Sequence, residues 1–167
     1  EQSLQGRAAR FALDDVPGEG GPTELANAVD AERPGRTTGD PPPVPGRFGG
    51  ALELSGENNA TFPGTGEFRR WDPFTFSLWI RAPRRTERAV VLHRSRAWTD
   101  AASCGYQLLL EDGRPSFALV HFWPGDAVCV RAVEPVPEDA WVHLAVTYDG
   151  SSRADGLTLY RDGRAAD

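Results

Sequence analysis

Residues 141–150 read WVHLAVTYDG, and residues 157–163 read LTLYRDG. Every second residue from Val142 to Tyr148 is hydrophobic, and this period of two predicts a strand with one buried face. Both stretches end in Asp-Gly, the pair most typical of a hairpin turn, because the two central residues of a type I′ turn need φ > 0. The two stretches therefore predict antiparallel β-structure in this part of the chain.

The same alternation recurs from residue 49 onward. Residues 74–80 alternate cleanly, and Asp112-Gly113 predicts a hairpin that pairs residues 106–111 with 114–119. The predicted strands span residues 51–54, 74–80, 89–93, 106–110, 117–123, 127–133, 141–148 and 157–161. The predicted core consists of Phe76, Leu78, Leu108, Leu119, Leu144, Val146 and Leu159. Strands divided by Gly, Pro and Asp turns, without a helical period, indicate an all-β antiparallel sandwich.

The first 46 residues carry less regular patterning. Residues 7–14 alternate briefly and predict a first strand. Residues 16–46 are rich in Gly, Pro, Asp and Glu and end in DPPPVPG, a run that we expect to form no ladder because proline lacks the backbone donor. We expect one domain, in which residues 1–46 supply the first strand and a long surface loop and residues 47–167 form the sandwich.

The end of the sequence carries a separate expectation. Only Arg164 to Asp167 follow the Asp162-Gly163 turn, and on the sequence alone they are too few to pair with the strand that leads into it. A hairpin with one arm predicts a sandwich that is truncated at its C-terminus and lacks its last strands.

Composition and charge restrict the classes of partner. The chain has 167 residues and a formal net charge of −6, and all 18 of its basic residues are arginines. The arginines are scattered rather than clustered, so we expect no nucleic-acid partner, which would need a basic stripe. No apolar run approaches the length of a membrane span, and we expect none.

The two cysteines, Cys104 and Cys129, are predicted to be free. The hairpin register places them on the outer strands of a three-strand meander, roughly 9–10 Å apart at the usual strand spacing. A disulfide needs Cα atoms within about 7 Å of each other.

Four segments together resemble a known family. Residues 46–56 read GRFGGALELSG and residues 74–83 read FTFSLWIRAP. Together with residues 141–150 and 157–163, these segments resemble, in order and spacing, the laminin G-like branch of the concanavalin A-like jelly rolls. The resemblance covers roughly residue 47 to the C-terminus. The resemblance implies an antiparallel jelly-roll sandwich.

A narrower resemblance concerns residues 105–113, GYQLLLEDG, and residues 121–126, HFWPGD. They are similar to the copy embedded in large, planctomycete-type bacterial proteins that also carry a haem c-binding segment and uncharacterised domains. This resemblance implies a periplasmic or extracellular parent protein.

Catalysis is the first function to test, because the superfamily includes glucanases. A retaining glucanase needs two carboxylates about 5–5.5 Å apart across a sugar cleft. Glu111-Asp112 and Glu138-Asp139 are adjacent pairs at predicted turns, and adjacent strand residues point to opposite faces. The three histidines occur singly within strands. We predict no catalytic residue, with glucanase activity in this domain disfavoured.

Calcium is the second candidate. Glu57, Asn58 and Asn59 follow a predicted strand, at a position where members of the resembled family offer loop oxygens to a metal. Calcium prefers six to eight oxygen ligands, and three consecutive donors supply only part of such a set. The alternative is a turn closed by Asx hydrogen bonds.

Aromatic side chains are the third signal, because sugar rings stack on exposed indoles. Trp98, in the polar loop 94–103, is the main candidate, with Asn58 and Asn59 as further ligand-binding candidates, whereas Trp123 is expected at the edge of the core.

The leading hypothesis is a non-catalytic recognition or packing module that binds carbohydrate or neighbouring domains of its parent protein. The alternative is an accessory domain of a haem-containing or polysaccharide-acting enzyme.

Overall fold

The computed structural model describes residues 6–14, 24–95, 104–122 and 125–167. Its residues form two compact units, an N-terminal unit (Glu1–Glu67) and a C-terminal unit (Phe68–Asp167).

The N-terminal unit contains short antiparallel strands. They are β1 (Glu24–Leu25), β2 (Gly35–Thr38), β3 (Pro43–Pro45), β4 (Gly50–Leu52) and β5 (Asn59–Thr61). Strands β1, β2 and β5 form one sheet in the order β1-β2-β5, and β3 pairs with β4. The buried Asn27 fixes the chain beside β1, because its Oδ1 accepts the N–H groups of Arg10 and Val29, each at 3.1 Å, and its Nδ2 donates to the Arg33 carbonyl at 3.2 Å.

The first predicted strand, over residues 7–14, is wrong for the described part of the chain. Residues 6–14 form only an isolated antiparallel bridge between Phe11 and Asn27. Leu13 has φ of 63°, in the left-handed region, so the extended conformation cannot continue through it.

The expectation that the proline-rich run forms no ladder is also wrong. Val44 lies opposite Ala51 in the β3–β4 ladder, and the Glu53 N–H donates to the Pro42 carbonyl at 2.9 Å. This register places Pro43 and Pro45 between the hydrogen-bonded pairs, where the missing N–H breaks no bond.

The C-terminal unit contains the long strands. They are β6 (Phe74–Arg81), β7 (Arg88–Ser95), β8 (Gly105–Glu111), β9 (Arg114–Phe122), β10 (Asp126–Arg131), β11 (Trp141–Tyr148), β12 (Leu157–Arg161) and β13 (Arg164–Ala165). One antiparallel sheet has the order β10-β9-β8-β7 and the other has the order β13-β12-β11-β6. The two sheets contribute their inner faces to one hydrophobic core.

The predicted core is confirmed. Leu108, Leu144, Val146 and Leu159 are buried in it, and the partly buried Phe76, Leu78 and Leu119 pack against it. The register predicted for the hairpin at Asp112-Gly113 is confirmed as well, since Tyr106 to Glu111 lie opposite Leu119 to Arg114.

The three Asp-Gly pairs divide into two kinds. Asp112-Gly113 and Asp162-Gly163 have φ values of 51° and 74° and of 49° and 80°, as a type I′ turn requires. The pair Asp149-Gly150 was expected to form the same turn, but only Gly150 has positive φ. It opens a longer loop, closed by a 3.0 Å bond from the Asp149 N–H to the Gly156 carbonyl.

The segment after Asp162-Gly163 pairs with β12, contrary to the expectation that it is too short. Ala165 lies opposite Tyr160, and the Ala166 N–H donates to the Leu159 carbonyl at 2.9 Å. The tight type I′ turn brings the returning chain into register at once, so that even two residues form a ladder. Both cysteines are free, as predicted, and both are exposed.

Candidate functional site

The outer surface of the β13-β12-β11-β6 sheet carries the most distinctive group of outward-facing side chains. Because successive residues of a strand point to opposite faces, the residues between the core positions face away from the core. The register places Trp79 opposite His143, Arg81 opposite Trp141, and Ala145 opposite Tyr160. We call this group the aromatic face: Trp79, Arg81, Trp141, His143 and Tyr160.

Two close contacts link side chains of the aromatic face. The centroids of the Trp79 and His143 rings are 5.2 Å apart. The guanidinium carbon of Arg81 lies 5.7 Å from the Trp141 ring centroid, within the distance at which a cation interacts with an aromatic ring, while Arg81 Nε lies 3.6 Å from Asp139 Oδ1. Trp79 keeps 38% of its surface exposed, so part of its ring can contact a ligand.

The backbone beneath these rings is held on both sides. His143 lies in the β11 ladder opposite β6, and its N–H donates to Asp162 Oδ1 at 3.0 Å. The Asp162 N–H in turn donates to the His143 carbonyl at 2.9 Å. A site on paired strands holds its side chains in fixed positions, so the aromatic face is preorganised.

A hydroxyl-bearing surface continues from the aromatic face along the same strands. Thr75 lies opposite Thr147, which lies opposite Thr158, and Ser77 lies opposite Ala145. We call Thr75, Thr147, Thr158 and Ser77 the hydroxyl row. Each hydroxyl can donate one hydrogen bond and accept two, so the sheet offers both stacking and hydrogen bonding.

A second exposed indole, Trp71, belongs to a loop that is fastened to the β11–β12 connection. The buried Tyr148 hydroxyl donates to the Arg70 carbonyl at 2.5 Å and accepts the Ser152 N–H at 2.7 Å. The backbones approach so closely that a Cβ at Gly150 would overlap the Trp71 carbonyl oxygen. Trp71 is 62% exposed.

The carboxylates of the 149–156 loop are held in their ionised form. The hydrogen bond from the Ser151 side chain lowers the pKa of Asp149. The hydrogen bond from Arg153 lowers the pKa of Asp155, and the guanidinium meets both carboxylate oxygens, at 2.9 and 3.0 Å. The loop is therefore polar and internally bonded, and both carboxylates are exposed to solvent.

The residues expected to bind calcium lie in the N-terminal unit. Asn58 Oδ1 accepts the Ser55 N–H at 2.9 Å, and its Nδ2 donates to the Glu53 carbonyl at 3.3 Å. These bonds close a turn, as the Asx alternative requires. Glu57 and Asn59 are exposed, and Asn59 begins β5. The side chain of Asn58 fits a structural role better than a metal ligand, and the calcium site stays a prediction.

Two further sequence candidates lie outside the described residues, namely Trp98 and Trp123. The residues that the structure does describe contain no group of three or more His, Cys, Asp or Glu side chains placed to hold a metal ion. Nor does this part of the chain contain a helix with the length and apolar character needed to cross a membrane.

Sequence reasoning did not identify the aromatic face as a site. The alternation of residues 74–80 and 141–148 places Trp79, Trp141 and His143 between the inward positions, but the proximity of His143 to Trp79 depends on the β6–β11 register. The available signal was the set of large aromatic residues at the outward positions of strands whose inward positions form the core.

Comparison with known proteins agrees with this architecture. Residues 54–167 match the Laminin_G_3 family, described as the concanavalin A-like lectin/glucanases superfamily. The chain belongs to this family. The match confirms the resemblance to laminin G-like domains and the prediction of an antiparallel, concanavalin A-like jelly-roll sandwich. No functionally curated protein sequence matches the chain significantly.

Two solved structures share the fold of this Laminin_G_3 chain. One is an S-layer domain-containing protein from Clostridium thermocellum, with a TM-score of 0.60, 22% identity, and coverage of 95% of this chain and 70% of the other. The second is the binding domain of Paraclostridial Mosquitocidal Protein 1, with a TM-score of 0.61, 15% identity, and coverage of 93% of this chain and 39% of the other. At these identities the likeness concerns the fold alone.

Proposed function

We propose that this chain is a non-catalytic recognition module that binds carbohydrate on the aromatic face. The observation that carries the proposal is the pair of neighbouring indoles, Trp79 and Trp141, held on a paired sheet and each beside a polar partner, His143 or Arg81. An aromatic ring offers an apolar surface to the C–H groups of a sugar, while neighbouring polar groups meet its hydroxyls.

The carboxylates around the aromatic face support a binding role rather than hydrolysis. Asp139 interacts with Arg81, and Asp162 accepts the His143 N–H. Both therefore have structural partners, whereas glycoside hydrolysis needs a carboxylic acid and a carboxylate facing each other across the scissile bond.

The relatives support the same class of function. The family description includes lectins, and one structural neighbour is titled a binding domain. The other belongs to an S-layer domain-containing protein, which supports our proposal that the parent protein is bacterial and lies in the periplasm or outside the cell. Within that parent, the module would recognise a glycan or pack against neighbouring domains, including the haem-containing context that the narrower resemblance implies.

Binding to immobilised glycans tests this proposal. Wild-type protein should bind a subset of the glycans, and Trp79→Ala and Trp141→Ala should each weaken binding at least tenfold, the loss expected when a stacked ring is removed. Trp71→Ala is the matched control, since it removes an exposed indole from a loop outside the aromatic face and should bind as the wild type does. Retained binding in the Trp79 and Trp141 variants, with loss in the Trp71 variant, would move the site to the 149–156 loop.

A further inference from the structure

We infer that the ligand of the aromatic face is a linear, uncharged glycan chain that lies along the strands and contacts both the aromatic face and the hydroxyl row. This inference rests on the proposed function and specifies its ligand. Three features of the surface support it: the length of the surface, the change in side-chain size along it, and its charge.

The outward positions extend over four successive rows of the sheet. From Arg81 and Trp141 at one end, the rows pass through Trp79 and Ser77 to Thr75. Outward residues recur every second position, at a rise of about 3.4 Å per residue, so the four rows span roughly 20 Å. A monosaccharide covers only a fraction of this length, whereas an extended chain can contact all of it.

The side chains become smaller along the same direction. On β11 the outward residues run from Trp141 and His143 to Ala145 and Thr147. On β6 they run in the same sense from Arg81 and Trp79 to Ser77 and Thr75. On these two strands the indoles lie at one end and the small residues at the other, where Tyr160 of β12 lies beside Ala145. A chain stacked on the indoles can therefore continue along the sheet to hydroxyls that lie close to the backbone.

The hydroxyl row can form hydrogen bonds with such a chain. Thr75 and Ser77 are exposed, and Thr147 and Thr158 are half-buried between neighbouring strands. Their hydroxyls act as donors and acceptors, which match the mixed donor and acceptor groups of neutral sugars. The aromatic face followed by the hydroxyl row along the same strands indicates one polar, uncharged ligand that is long enough to contact both.

Charge argues against a polyanionic ligand. The guanidinium of Arg81 interacts with Asp139, and Asp162 adds a further carboxylate at the edge of the aromatic face. The chain as a whole carries a formal net charge of −6, which repels polyanions at long range. A neutral glycan avoids this repulsion.

Calorimetric titration with a series of neutral linear oligosaccharides, from disaccharide to hexasaccharide, tests the inference. The sugar type is the one that binds in the experiment with immobilised glycans. Affinity should rise with length and then level off when the chain exceeds the surface. The double variant Thr75→Val/Thr147→Val should bind the longest oligosaccharide about tenfold more weakly and the shortest one unchanged, because only long chains reach the hydroxyl row. Thr86→Val, a half-buried threonine outside this surface, is the control and should bind as the wild type does.

The outcomes separate the two proposals. Affinity that is independent of length, or stronger binding of a carboxylated or sulfated chain of the same length, would overturn the linear neutral ligand and leave carbohydrate recognition intact. If the folded protein binds no glycan and instead captures a neighbouring domain of the parent through Trp79, both the linear neutral ligand and carbohydrate recognition are overturned. Thermal melting of each variant confirms that it is folded.

Discussion

At the scale of single residues, a few side chains make contacts that their neighbours in sequence do not indicate. Tyr148 follows the alternation that buries its ring, yet its hydroxyl joins two separate loops through Arg70 and Ser152. Asn27 is a buried polar residue in a segment of little pattern, and its amide makes three hydrogen bonds to backbone groups. Burial of such groups is tolerated because each of these polar atoms has a hydrogen-bond partner.

Tyr148→Phe should lower the free energy of unfolding by about 1–3 kcal/mol, because it leaves the Ser152 N–H and the Arg70 carbonyl without their shared partner. Urea unfolding measures the difference. Tyr160→Phe, at an outward position of β12, is the control and should change stability by less than about 0.5 kcal/mol. An equal loss in both variants would contradict the role assigned to the Tyr148 hydroxyl.

Asp149 and Asp155 should titrate below the ordinary aspartate pKa of 3.8, because Ser151 and Arg153 respectively favour their ionised forms. A pKa that is lowered in the folded state contributes stability above the unfolded pKa, and this contribution is lost as the pH falls through the folded pKa. Both groups are exposed, so the contribution is small. Carboxyl titration by NMR measures both pKa values. Arg153→Gln should raise the pKa of Asp155. An Asp155 pKa at or above the ordinary value in the wild type would contradict the predicted direction.

At the scale of elements, alternation in the sequence was sufficient to predict the long strands of the C-terminal unit and the inward side chains of β6, β8 and β11. It was insufficient for the N-terminal unit, where the β3–β4 ladder depends on which residues of the strand donate hydrogen bonds. It also missed the aromatic face, because the pairing of Trp79 with His143 depends on the register between two strands that are distant in sequence.

Gly150→Ala should destabilise the C-terminal unit by about 1–3 kcal/mol. The substitution would strain a residue with φ of 85° and make its Cβ overlap the Trp71 carbonyl oxygen. Gly163→Ala is the matched control, because Gly163 has φ of 80° but a Cβ at this position would have nothing within 4 Å. A greater loss at Gly150 than at Gly163, measured by urea unfolding, reports the contact with Trp71, and equal losses would contradict it.

Asn58→Ala should destabilise the N-terminal unit by about 1 kcal/mol, because it removes the bonds to Ser55 and Glu53 that close the turn. If calcium binds at Glu57, Asn58 and Asn59, millimolar calcium raises the melting temperature of the wild type and not that of the variant. A calcium-independent loss of stability supports the Asx turn, and a variant as stable as the wild type both with and without calcium would contradict both roles.

At the scale of the whole molecule, the fold and the site depend on different parts of the same strands. The inward residues of β6 and β11 pack the core, and the outward residues of these strands carry the aromatic face. The paired strands thus present these outward side chains on a preorganised surface.

The central claim is tested most directly by NMR detection of the indole N–H groups during titration with a neutral oligosaccharide that binds. Trp79→Phe and Trp141→Phe variants assign the two signals of the aromatic face, and Trp71→Phe assigns the control. We predict that the Trp79 and Trp141 signals shift in proportion to saturation, together with the Thr147 backbone amide, while the Trp71 signal stays in place. Shifts confined to Trp71 and residues 149–156 would contradict the account.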